Sequence, residues 1–250
     1  MTAYSTLFLF KRSPFEQVPG ALSTHSQKLN SFLSSLFQDF SRKLSEPKEH
    51  NSIKLKVTPS IVKQIPTITP NLNKIKFAEI SITTPNSTKP NTELDKITIT
   101  AVIGNDLKFI ILPTASERAY NINFNGEEAK LRTKALELIA KALFETSGCE
   151  IGVTTNVNDV PVDSMKEAIT SLLPYSTFSL IRSGLMPLEL RSELRETVHN
   201  LKEEDDYTEI EVTDHPFSGW SYTSKEDGGR ATLEAYQDAI GRALHNKAIN

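Results

Sequence analysis

From Ile53 the chain alternates: Ile53, Leu55 and Val57 fall on one side and Lys54 and Lys56 on the other, the period of a strand with one buried and one wet face. Three further strands are expected over 74–83, 96–103 and 107–113. The last two are joined by Gly104-Asn105-Asp106, a tight-turn sequence suited to an antiparallel hairpin. The region reads as an antiparallel meander, and a meander alone leaves an apolar face uncovered. Helices elsewhere in the chain must supply the cover.

The first such helix is expected over 26–44, where Leu29, Phe32, Leu33, Leu36, Phe37, Phe40 and Leu44 recur at three- and four-residue spacing before Pro47 blocks continuation. Residues 48–52 read as a connection. Pro59, Pro66 and Pro70 make 59–73 an extended crossing, and 85–91 is a polar loop. From Tyr120 short β-rich runs alternate with helical patterns. Strands are expected over 120–124, 150–155, 177–181 and 208–213, and helices over 127–146, 162–173, 188–201 and 230–246, with Gly148 placed to end the first of these helices. The fold expected is α/β or α+β: a mixed sheet with an antiparallel meander in the first half, alternating αβ units in the second, and helices packed on the sheet. Residues 1–50 read as an N-terminal segment packed on a single domain of residues 51–250.

Composition narrows the class. Of 250 residues 38% are hydrophobic and 24% charged, and no run of eighteen apolar residues is present to span a bilayer as a helix. The short apolar run 7–10 precedes its basic neighbours Lys11 and Arg12 instead of following them, which is not the order of a secretory signal. A single cysteine, Cys149, allows no intramolecular disulfide. The expected location is the cytoplasm, or another reducing compartment reached without a cleaved signal; the sequon at Asn86 is then a polar turn. Abundant Lys, Asn, Ile and Ser with few Gly suit an AT-rich bacterial genome.

Charge is divided along the chain. Residues 1–100 hold 13 Lys and Arg against 7 Asp and Glu, and the remaining 150 hold 15 against 24, for a net −3. Lysines on strand faces in the front half are placed to track phosphates, but the acidic total and the absence of a recognised motif argue against a nucleic-acid partner. The helix over 26–44 has a serine-dominated, thinly basic polar face, so peripheral membrane contact is not expected either. The acidic run 203–206 reads as a solvated turn between a helix and a strand.

Few residues invite chemistry. Cys149 comes after a helix C-terminus, where the dipole disfavours a thiolate, and it reads as a buried structural thiol. His25, His50, His199, His215 and His245 show no metal-ligand spacing, and neither a P-loop nor a dinucleotide fingerprint is present, so no metal and no cofactor are expected. If the strands over 150–155, 177–181 and 208–213 run parallel, their C-terminal ends gather Thr154, Thr155, Asn156 and Asp159 beside Arg182, Ser183 and Gly184, and beside Asp214 and His215. Arg182 with an adjoining helix N-terminus is then an anion anchor, His215 a general base and Asp214 its orienter. Trp220, in the aromatic loop 216–223, is a candidate for stacking on a ligand or anchoring a protein.

These residues are compatible with two functions. The first is a non-enzymatic, effector-like protein that binds a protein partner through the first helix and the aromatic loop. The alternative is a small transferase or hydrolase acting on a phosphorylated or carboxylated ligand. The lack of any catalytic or cofactor signature favours the first.

Overall fold

Residues 6–12, 22–46, 53–59, 73–83, 93–104, 106–114, 126–155, 164–168, 176, 178–185, 200–204 and 207–211 are described by the computed structural model. In chain order they form β1 (Thr6–Arg12), α1 (Leu22–Ser45), β2 (Lys54–Pro59), β3 (Asn73–Thr83), β4 (Glu93–Ile103), β5 (Asp106–Thr114) and α2 (Gly126–Ser147). Next come β6 (Ile151–Thr155), the helical turn α3 (Met165–Glu167), β7 (Phe178–Arg182), β8 (Asn200–Glu203) and β9 (Tyr207–Glu211). The class is α+β. The chain divides into two units, one of Met1–Phe10 with Cys149–Asn250 and one of Lys11–Gly148, so residue 50 lies inside the second.

In the unit Lys11–Gly148 the alternating sequence forms the expected meander, in the order β2-β3-β4-β5 with every pairing antiparallel. Its inner face carries Ile75, Phe77, Ile80 and Ile82 from β3, Ile97, Ile99 and Ala101 from β4, and Leu107, Phe109 and Ile111 from β5, all buried. The register of β3 against β4 slips between Lys76 and Ala78, so Phe77 is an inserted residue, a β-bulge. That residue is the hub of the core: its ring centroid lies 5.6 Å from Phe37 and 5.9 Å from Phe40 on α1, and 5.5 Å from Phe109 on β5.

Of the helical stripe predicted from spacing, Leu29, Leu33, Leu36, Phe37, Phe40 and Leu44 are interior and Phe32 is half-buried. Most of the apolar stripe expected to meet a partner is thus used by the core. Lys43 Nζ reaches Glu145 of α2 at 2.9 Å. At the end of α2, Gly148 takes φ +66° and the Lys11 ammonium donates to the Ser147 carbonyl oxygen at 3.0 Å, so a left-handed glycine and a cation together close the helix.

In the other unit the strand order is β1-β6-β7-β9-β8, again antiparallel at every pairing. Thr6 to Phe10 of β1 are buried on both faces, so the short apolar run near the N-terminus is a strand, paired with β6. Two further expectations change. Asn200 and Leu201 belong to strand β8, not to a helix over 188–201, and the acidic run 203–206 joins two strands of a hairpin, with Glu204 N–H donating to Tyr207 O at 2.9 Å. The expected elements over 120–124 and 230–246 lie outside the described residues.

Candidate functional site

Strand alternation and the bulge together decide what the outer face of the four-stranded sheet carries. Lys54 and Lys56 of β2 pair with Thr83 and Ser81 of β3, Ser81 pairs with Lys96 of β4, and Lys76 pairs with Thr100. All of these side chains therefore stand on one face, with Lys74 two residues before Lys76. Lys54, Lys56, Lys74, Lys76 and Lys96 are exposed. Among the described side chains of this face the carboxylates are Asp106, placed there by alternation two residues before Lys108, and, among the exposed lysines, Glu79. Glu79 bonds to Lys76, lies 3.8 Å from Lys96, and its pKa is lowered first by the Lys76 hydrogen bond and then by the Lys76 charge.

The face changes character toward β5. There Thr98 pairs with Leu112 and Thr100 with Ile110; Leu112 is 44% exposed, the large hydrophobic side chain left open among the described residues, and Ile110 is half-buried. Lysines beside a narrow apolar strip suit a protein surface better than a bare polyanion, because interfaces surround apolar anchors with charge. Among the described residues the face has no aromatic side chain on which a base can stack and no arginine to grip phosphate with two donors.

The crevice predicted from parallel strands does not form from these strands. β6 and β7 run antiparallel, with Ile151 opposite Ile181 and Val153 opposite Ser179. Thr154 is bonded to Phe178 at the start of β7, whereas Arg182 ends that strand, roughly 13 Å away at about 3.3 Å per residue. β9 likewise reaches its last residue, Glu211, opposite Phe178 and not opposite Arg182. Arg182 instead faces the start of β6, donating from Nε to the Cys149 carbonyl at 2.8 Å and from its backbone to Glu150 O at 3.0 Å.

After Arg182 the chain makes a three-residue 3-10 turn, Ser183–Leu185, too short to supply the expected anion site. Ser183 is half-buried and Gly184 exposed. Thr155 closes β6 opposite Thr6. Asn156, Asp214, His215 and Trp220 lie outside the described residues. Cys149 is buried, as expected of a structural thiol. Among the described residues no group of three or more His, Cys, Asp or Glu is placed to hold a metal ion, and no helix is long and apolar enough to cross a membrane.

At the end of β6 away from Arg182, three hydroxyls form a buried polar cluster. Thr154 Oγ1 accepts from Phe178 N–H at 3.1 Å and lies 3.0 Å from Ser176 Oγ. Ser176 Oγ in turn accepts from Thr154 N–H at 2.9 Å and donates to Phe178 O at 2.6 Å, and Ser179 Oγ donates to Ser176 Oγ at 3.2 Å. The pairing of β6 with β7 ends at Val153, so these bonds serve backbone groups that the ladder leaves over. Their role is structural. No family model, curated protein or solved structure matches the chain.

Proposed function

We propose that the chain is a non-catalytic binding protein whose β2–β5 sheet face takes an acidic protein surface. The observation that carries this reading is five exposed lysines on one face against two carboxylates among its described side chains, Asp106 and Glu79, the second engaged by two of the lysines. The exposed Leu112 beside them supports a protein partner, since an apolar anchor adds affinity that charge alone supplies poorly at physiological salt. Because most of the α1 stripe is buried, this reading takes the sheet and not the helix as the binding surface.

The test is fluorescence anisotropy with a labelled oligo-glutamate peptide. Binding is expected at low salt, with affinity at least tenfold weaker in the combined Lys54→Gln, Lys56→Gln and Lys96→Gln variant. Lys134→Gln, an exposed lysine on α2, is expected to leave the affinity unchanged. Equal loss in both variants, or none in either, overturns the assignment of the face.

A further inference from the structure

We draw no further inference here: the strongest candidate, the lysine face of the β2–β5 sheet with the exposed Leu112 at its border, belongs to the site already described, and nothing among the described residues shows what covers it.

Discussion

Lys76 and Glu79 form an ion pair along one strand although they stand three positions apart, a spacing that in a regular strand points side chains to opposite faces. The inserted Phe77 resets the alternation and places both on the outer face. Because the Lys76 hydrogen bond and charge lower the Glu79 pKa, the contribution of this carboxylate to stability is complete above the ordinary glutamate range and is lost as pH falls through the lowered value. A carboxyl-detected NMR titration should find Glu79 below the usual range, and Lys76→Gln should move it back up. The melting-temperature gap between wild type and Glu79→Gln should be small, present at neutral pH, and closed in acid below the Glu79 pKa.

Removing the acidic group that stands among the exposed lysines of the face should also strengthen the binding of an acidic peptide. Glu79→Gln frees Lys76 and Lys96 from a competing carboxylate, so oligo-glutamate affinity is expected to rise by about twofold to tenfold, the scale of an exposed ion pair. The rise should vanish at high salt. Unchanged affinity at low salt shows that the peptide does not occupy this part of the sheet.

The bulge that turns Glu79 outward also turns Phe77 inward, against two rings of α1 and one of β5. Phe77→Ala empties the centre of that cluster and should cost about 3–5 kcal/mol, read by urea unfolding. Phe77→Leu keeps most of the volume and should cost clearly less. Near-equal losses from the two substitutions imply that ring contacts, and not filled space, hold α1 to the sheet.

Much of this fold is legible in the sequence, and the rest is hidden for physical reasons. Lys74 and Lys76 are wet while Ile80 and Ile82 are dry, all at even positions, so a change of phase within β3 is written in the residues, but its place at Phe77 is set by pairing with β4. Leu7 to Phe10 show no period because a strand buried on both faces has none, and continuous apolar residues do not by themselves distinguish a strand from other buried segments. Strand direction is the larger loss. Nothing within 150–155 or 177–181 states whether the two run parallel, and the antiparallel pairing separates Arg182 from Thr154. The Lys54 and Lys56 alternation, by contrast, locates one edge of the candidate face from spacing alone.

Where the β6–β7 ladder stops, Thr154 uses its hydroxyl both to accept from Phe178 N–H and to meet Ser176 Oγ, with its residue 2% exposed. Thr154→Val keeps the shape and deletes the hydroxyl, leaving the buried Phe178 N–H without its acceptor, and should cost about 1–3 kcal/mol. Thr154→Ser retains the oxygen and should cost less. Hydrogen exchange offers the residue-level check: the Phe178 amide should lose protection in the valine variant and keep it in the serine variant.

Gly152 lies in mid-strand between β1 and β7, opposite Leu9 on one side and Leu180 on the other. A Cβ built there comes within 2.7 Å of Leu9 Cδ2 and 3.3 Å of Leu180 Cβ, and both leucines are fully buried, so the neighbouring side chains have little room to move aside. Glycine ordinarily weakens a strand interior; here it is the residue that lets the three strands close. Gly152→Ala should therefore cost about 1–3 kcal/mol by overpacking, and Leu9→Ala about 2–5 kcal/mol by leaving a cavity. Combined, the two changes partly cancel, since the alanine methyl enters the space that the leucine vacates. The double variant should be more stable than the sum of the single losses predicts by at least about 0.5 kcal/mol in urea unfolding. Strict additivity places the strain at Leu180 Cβ, which no rotation of Leu9 relieves, and a Leu180→Ala background, which keeps that Cβ, should then bring no rescue either.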